Sequence, residues 1–94
     1  MRTEFGKLIE QYAITYPVGM KTFKYNGVTY YIKCQNTQGS SNLAKLCREG
    51  KVDARNVGWV WTDGGAFRNW VCKYQIIDNE VVIAKPNEKL PCEM

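Results

Sequence analysis

The sequence predicts an α+β fold, in which two helices lie on one face of an antiparallel sheet of about five strands. Apolar residues recur with helical spacing in two segments and alternate with polar residues in the others, and residue pairs typical of tight turns separate the alternating segments. The resulting order is α-β-β-α-β-β-β. Because 94 residues suffice for one modest core, we expect a single domain over residues 1–85. Residues 86–94, with prolines and mixed charges, predict an irregular C-terminal tail.

Two segments have the apolar periodicity of a helix. In residues 3–15 Thr3 can cap the start, and Tyr16-Pro17 ends the helix because the residue before a proline avoids helical dihedral angles. The apolar stripe of this helix consists of Phe5, Leu8, Ile9, Tyr12 and Ala13. A second, short helix follows the loop NTQGSS, with a serine cap, a stop at Gly50 and a basic outer side. Its apolar face is formed by Leu43, Leu46 and Cys47.

The segment MKTFKYNGVTYYIKCQ predicts a β-hairpin, because Asn26-Gly27 suits the two left-handed positions of a type I′ turn. This turn fixes the register of the two strands. On one face it pairs Tyr25 with Val28, Phe23 with Tyr30 and Lys21 with Ile32; on the other it pairs Lys24 with Thr29, Thr22 with Tyr31 and Met20 with Lys33. We therefore expect one apolar face and one face that carries lysines around Tyr31.

Residues 57–84 predict a three-stranded meander, with strands VGWVWTD, AFRNWVCKYQII and EVVIA and a tight turn at Asp78-Asn79. The hairpin and the meander could form one open sheet or a strongly curved, barrel-like sheet, and the sequence leaves both open. The last strand could pair across a dimer if its edge is open, although its short length and the flanking charges of Glu80 and Lys85 oppose this. Monomer and dimer both stay possible.

The first hairpin of the meander has two alternative registers. If Gly64-Gly65 form the turn, Trp61 faces Arg68 and Trp59 faces Trp70, so all three tryptophans share a face with the arginine. A loop of residues 63–65 would instead separate Arg68 and Trp70 from the other two tryptophans.

Charge and composition narrow the classes of function. The chain carries 13 Lys and Arg against 9 Asp and Glu, a net charge of +4, and no histidine. Residues 21–55 alone hold seven basic and two acidic residues, which suits an acidic protein surface or phosphate as partner. No apolar run approaches the ~20 residues of a membrane helix, and no signal-peptide core is present, so we expect a cytoplasmic protein without membrane contact.

Motifs of reactive sites are missing from the sequence. It has no phosphate-binding glycine loop, no nucleophile elbow and no paired-carboxylate signature, so we predict no catalytic residues and no cofactor. The four cysteines lack the CxxC spacing of zinc knuckles, and a metal site would have to be assembled by folding; we predict none. We expect reduced thiols, with Cys34, Cys47 and Cys72 as small buried residues and Cys92 as the exposed one. A small enzyme without a recognisable motif is an alternative.

Two surfaces are candidates for binding. The tryptophan hairpin offers residue types that dominate protein interfaces, namely Trp59, Trp61, Arg68 and Trp70; the alternative is that these rings pack beneath a helix. The second candidate surface, in the basic segment 21–55, places a tyrosine among lysines, as in surfaces that bind single-stranded nucleic acid. The GSSN loop at the start of the second helix could also bind a phosphate through its backbone N–H groups. The residues of this second surface are Lys21, Lys24, Tyr31, Lys33, Lys45, Arg48 and Lys51.

These features predict a small non-enzymatic binding protein that regulates or inhibits a protein partner. A compact domain of this kind suits a regulator or inhibitor such as those that phages and mobile elements use against host machinery, although the residues themselves do not show that origin. A partner that itself handles nucleic acid would suit the basic, aromatic surface. Direct binding of RNA or single-stranded DNA is the alternative.

Overall fold

The computed structural model describes residues 4–15, 19–64 and 67–94. The strands form one antiparallel sheet in the order β1-β2-β3-β4-β5. The elements are α1 (Glu4–Thr15), β1 (Met20–Tyr25), β2 (Val28–Cys34), α2 (Asn42–Arg48), a 3-10 helix (Ala54–Asn56), β3 (Val57–Gly64), β4 (Phe67–Ile77), β5 (Glu80–Ala84) and a second 3-10 helix (Pro91–Glu93). The predicted α+β class and element order are confirmed. The predicted cap at Thr3 and the stop at Tyr16-Pro17 lie outside the described residues.

Both predicted tight turns have the expected backbone. The residues of Asn26-Gly27 have φ angles of 51° and 78°, and those of Asp78-Asn79 have φ angles of 50° and 63°. Left-handed dihedral angles at both central positions characterise type I′ turns, whose twist matches that of the paired strands. All six predicted pairs between residues 20–25 and 28–33 are present, so the register of the first hairpin follows from its turn.

The two helices lie on opposite faces of the sheet, which corrects the expectation that both cover one face. Helix α1 packs on a core of Ile9, Ala13, Phe23, Ile32, Val60, Cys72 and Tyr74. Helix α2 packs on a second core of Leu43, Leu46, Val57, Ala84 and Leu90. Val57 and Val60 are both fully buried in β3, yet three positions apart they point to opposite sides of a strand. The sheet therefore carries an apolar set on each face, and each helix covers one set.

Helix α2 begins and ends with the capping residues that the sequence predicts. The Ala44 amide donates to Ser41 Oγ at 3.2 Å, which satisfies one of the free amides at the helix start. Gly50 has a φ of 74°, and its own amide and that of Lys51 donate to carbonyls of the last helical turn. This is a Schellman motif. Both ends of α2 are thereby fixed, which also fixes the loop that precedes it.

Residues 86–94 dock against the sheet, which their composition did not indicate. Leu90 is fully buried in the second core. The Lys73 ammonium lies 2.6 Å from the Glu93 carboxylate, and their side chains are only 6% and 4% exposed. Asn42 Nδ2 donates to the other carboxylate oxygen at 2.8 Å. The C-terminal segment therefore joins β4 and α2 through one buried carboxylate.

Candidate functional site

The register between β3 and β4 differs from both alternatives that the sequence suggested. Trp61 pairs with Trp70, and Asp63 pairs with Arg68. A Gly64-Gly65 turn would have placed Trp61 opposite Arg68, and a loop of residues 63–65 would have placed Trp61 opposite Phe67. The observed pairing is shifted because Gly64 still belongs to β3, where it pairs with Phe67.

A β-bulge divides this hairpin into two halves. Val60 pairs with Cys72, whereas the next residue, Trp61, pairs with Trp70, so Val71 is the extra residue on β4. In a regular strand Trp70 would point to the same side as Cys72, towards α1. The bulge turns Trp70 to the other side, where it meets the tryptophans of β3.

The four residues of the predicted tryptophan cluster are in contact on this side of the sheet. The Trp70 ring lies 4.9 Å from the Trp59 ring and 5.4 Å from the Trp61 ring, at interplanar angles of 62° and 57°, close to the edge-to-face geometry that aromatic pairs prefer. The Arg68 guanidinium lies 5.0 Å from the centre of the Trp61 ring, within cation–π range. Tyr31 of β2 stacks on Trp61 at 5.8 Å and 14°. We call these five residues, with Lys33 opposite Trp59, the tryptophan face.

The exposed fractions of the three tryptophan rings distinguish one surface ring from two more buried rings that pack against it. Trp61 is 4% exposed and Trp59 is half-buried, whereas Trp70 is 47% exposed. Trp61 therefore packs as a core residue. The alternative interpretation of the hairpin, in which the rings are packed in the interior, expected this of the whole segment. Trp70 is a surface residue that two other rings keep in place.

A polar network fixes Trp59 against the loop before α2. Trp59 Nε1–H donates to Gln35 Oε1 at 2.8 Å, and the Ser41 hydroxyl donates to the same oxygen at 3.2 Å. The backbone N–H of Gln35 donates to the Val57 carbonyl at 2.7 Å, which holds the glutamine beside β3. Ser41 also caps α2, so its hydroxyl is engaged by Gln35 and by the Ala44 amide. Within the GSSN loop, which the sequence suggested as a phosphate site, this hydroxyl therefore has a structural role.

Two adjoining clefts open beside Trp70. The larger, which we call the aromatic cleft, has a volume of about 340 Å³ and is lined by Gln35, Gly39, Ser40, Ser41, Trp59 and Trp70. The smaller, which we call the basic hollow, has a volume of about 110 Å³ and contains Lys33, Asn36, Trp61 and Arg68 besides residues shared with the aromatic cleft. Trp59 and Trp70 line both, so the two clefts meet at this ring pair.

The residues of the predicted basic surface do not lie together. Tyr31 and Lys33 belong to the tryptophan face, where they pair with Trp61 and Trp59, and the alternation of β1 and β2 puts Lys24 on the same side. Lys21 pairs with Ile32, on the side of α1. The expectation of one surface that includes Lys21 is therefore wrong for that residue.

The three basic residues of the α2 region have separate surroundings. Arg48 donates from Nη1 to the carbonyls of Thr37 and Gly39, both at 2.7 Å. It therefore holds the loop that lines the aromatic cleft. Lys51 forms an exposed ion pair with Glu49 at 3.5 Å, and Lys45 is exposed.

Tyr31 is engaged by a carboxylate on the same face. Its hydroxyl donates to Asp63 Oδ2 at 2.7 Å, and this bond, with the negative charge of Asp63, raises the pKa of Tyr31. Removing the proton would place two negative charges side by side. Tyr31 is thus held by its ring against Trp61 and by its hydroxyl against Asp63.

The cysteines differ in part from the prediction. Cys72 is buried as expected, and burial raises its pKa to about 12. Cys34, Cys47 and Cys92 are all half-buried, so Cys92 is not the single exposed thiol; it packs with Cys47 against the second core. Within residues 4–15, 19–64 and 67–94, no group of three or more Cys, Asp or Glu side chains is placed to hold a metal ion.

Sequence reasoning missed two polar residues of the clefts. Gln35, which lines both clefts, and Asn36, which lines the basic hollow, follow β2 in a loop without periodicity, so no pattern marks them. One signal was available: Gln35 follows Tyr31 and Lys33 at intervals of two, which continues their face beyond the end of β2. The bonding of Gln35 to Trp59 depends on the pairing of β2 with β3, which turn residues alone do not determine.

Comparisons with known proteins add no functional information. No family model matches the chain, and neither a curated protein nor a solved structure shows significant similarity to it. In the part of the chain that the structure describes, no helix has the length and apolar character to span a membrane.

Proposed function

We propose that this chain is a non-enzymatic binding protein, a regulator or inhibitor that docks a protein partner on the tryptophan face. One observation carries the proposal. Trp70 is 47% exposed, lies where two clefts meet and packs against two other rings. Such a side chain is already ordered, so a partner that covers it loses little side-chain entropy on binding.

The neighbours of Trp70 support the same role. Tryptophan and arginine are the residues whose truncation most often weakens protein interfaces, and Arg68 is exposed beside Trp70 over the ring of Trp61. The surrounding polar groups could form the rim of an interface. A regulator or inhibitor needs only such a surface, because it acts by occupying its partner.

The test is capture of a partner by the immobilised protein, repeated with and without nuclease. The wild type is compared with Trp70→Ala and with Val28→Ala, a matched control that removes an apolar side chain 42% exposed on the side of α1. We expect Trp70→Ala to weaken capture by about 2 kcal/mol or more in binding free energy. Val28→Ala and nuclease should leave capture unchanged. Equal capture by Trp70→Ala and wild type would refute the proposal.

Direct binding of single-stranded nucleic acid is the second candidate. The observation in its favour is that Lys24, Lys33 and Tyr31 lie on one side of the sheet, where lysines could meet phosphates beside a stacking ring. Titration of labelled oligonucleotides at several salt concentrations tests it. Contact with several phosphates predicts that log K falls by about 0.7 per phosphate for each tenfold rise in salt, and Lys24→Ala with Lys33→Ala should reduce that slope. A flat salt response would exclude this mode.

A further inference from the structure

We propose that the partner presents an acidic peptide segment, with an apolar side chain that enters the aromatic cleft and a neighbouring carboxylate that pairs with Arg68 and Lys33. This inference rests on the proposed docking face and specifies the chemistry of its partner. Because the aromatic cleft and the basic hollow meet at Trp59 and Trp70, one short segment can occupy both.

The aromatic cleft is suited to an apolar side chain. Its volume of about 340 Å³ is near the lower limit for ligand pockets, roughly 300 Å³. Two indole rings at 62° to each other line it, together with residues 39–41 of the loop whose Gly39 carbonyl accepts a hydrogen bond from Arg48. The exposed Ser40 hydroxyl at the rim can accept a hydrogen bond from a peptide backbone or donate one to it.

The basic hollow is suited to a carboxylate. Lys33 and Arg68 line it and are both exposed. On this side of the two hairpins lie the cations of Lys24, Lys33, Arg68 and Lys73 and the carboxylate of Asp63. Lys73 is already paired with Glu93, and Asp63 already accepts the Tyr31 hydroxyl. Positive charge is therefore in excess around the hollow, and a guanidinium can bind a carboxylate through two parallel hydrogen bonds.

An acidic peptide fits this face better than a nucleic acid strand. Surfaces for single strands stack successive bases on aromatic rings. Trp61 is only 4% exposed, and the Tyr31 ring stacks on it, which leaves Trp70 as the ring with half of its surface open.

The test uses short synthetic peptides and nuclear magnetic resonance of the isotope-labelled protein. Each probe carries one central Trp, Phe, Leu or Pro flanked by aspartates and glutamates; matched probes replace the acids by asparagine and glutamine, or the central residue by alanine. The three tryptophans give separate indole N–H signals, and that of Trp59 reports the site directly because it bonds to Gln35. An oligothymidylate of equal charge is the nucleic acid probe.

We expect an acidic probe with an apolar centre to shift the indole signals of Trp59 and Trp70 at millimolar concentration. Neutral probes and the Arg68→Ala variant should each reduce the affinity about tenfold, which corresponds to loss of one charge-assisted contact. Alanine-centred probes should also bind about tenfold more weakly, because they leave the aromatic cleft without an apolar side chain. Lys7→Ala, which removes an exposed lysine from α1 on the other face, should bind as the wild type does. Well-dispersed spectra of each variant show that it is folded.

Three results would overturn the inference. Equal shifts with acidic and neutral probes would remove the acidic specificity while leaving the docking face intact. Tighter binding of the oligothymidylate, with a steep salt dependence, would assign the face to nucleic acid. Absence of shifts with every probe would reject an acidic peptide as the occupant, and the proposed docking face would then depend on the Trp70→Ala capture experiment alone.

Discussion

Removing one partner of the buried Lys73–Glu93 pair should strongly destabilise the protein. The two side chains are 6% and 4% exposed, and the ammonium lies 2.6 Å from the carboxylate. A charge left alone at such a site lowers the free energy of unfolding by about 3–5 kcal/mol, against about 5–15 kcal/mol in total for a domain. Glu93→Gln should therefore remove about a fifth or more of the stability.

The contacts of the carboxylate predict different costs for the two single variants. Glu93 also accepts hydrogen bonds from the Leu90 amide at 2.9 Å and from Asn42 Nδ2 at 2.8 Å. In Lys73→Met these two donors still satisfy the carboxylate, so the cost should lie near 3 kcal/mol. In Glu93→Gln the new amide meets the Asn42 amide donor to donor, so the cost should lie nearer 5 kcal/mol.

The double variant decides whether the pair itself causes these losses. Lys73→Met with Glu93→Gln leaves no buried charge, and we expect it to lie within about 2 kcal/mol of the wild type. Urea unfolding followed by tryptophan fluorescence measures all the variants. The exposed pair of Lys51 and Glu49, at 3.5 Å, is the control, since its loss should cost under about 1 kcal/mol. If the two single losses add up to the double loss within about 0.5 kcal/mol, the pair is not coupled and this reasoning is wrong.

Three further predictions concern acid stability, the close approach at Gly58 and the thiols. Burial alone would raise the pKa of Glu93, but hydrogen bonds from the Leu90 amide and from its other partners lower it. The stabilisation by Glu93 should therefore be present above about pH 4 and lost as the pH falls further. The stability of Glu93→Gln should thus depend less steeply on pH in acid than that of the wild type, and an identical dependence would contradict this. A Cβ at Gly58 would collide with the backbone carbonyl of Lys33 in β2 and lie 2.5 Å from the Tyr74 hydroxyl, so Gly58→Ala should cost about 3 kcal/mol or more in urea unfolding. A loss under about 1 kcal/mol would show that both β2 and Tyr74 can move aside. Alkylation of the native protein, counted by mass spectrometry, should modify Cys72 last, because burial raises its pKa to about 12; reaction as fast as that of Cys92 would contradict its place in the core.

The sequence predicted those features that depend on local chemistry. Asn26-Gly27 and the capping residues Ser41 and Gly50 act within a few positions of the chain, and each behaves as expected. Features that depend on contacts distant in the chain were missed. The ion pair of Lys73 with Glu93 joins residues 20 positions apart, and the second core needs Leu90 to return to the sheet; neither leaves a periodic trace.

The sequence predicted the cluster of Trp59, Trp61, Arg68 and Trp70 as one of two alternatives, and neither alternative had the observed register. The reason lies in β4. Arg68, Trp70, Cys72 and Tyr74 all occupy even positions, so a regular strand would point all four towards one face. Cys72 and Tyr74 belong to the core beneath α1, so a regular strand would turn Trp70 and Arg68 to that face as well, away from the tryptophans of β3. Strict alternation along β4 therefore cannot give both the core of α1 and the tryptophan cluster.

The bulge at Val71 resolves this conflict and creates the candidate site in the same step. Val71 packs against the core of α1, while Trp70 and Arg68 turn to the other face and contact Trp61. The Trp61 side chain is only 4% exposed and so belongs to the folded interior. Trp59, the other support of Trp70, is packed against the second core. The exposed ring is thus held between side chains that belong to the folded interior, which explains how a small domain can keep a half-exposed tryptophan in one orientation.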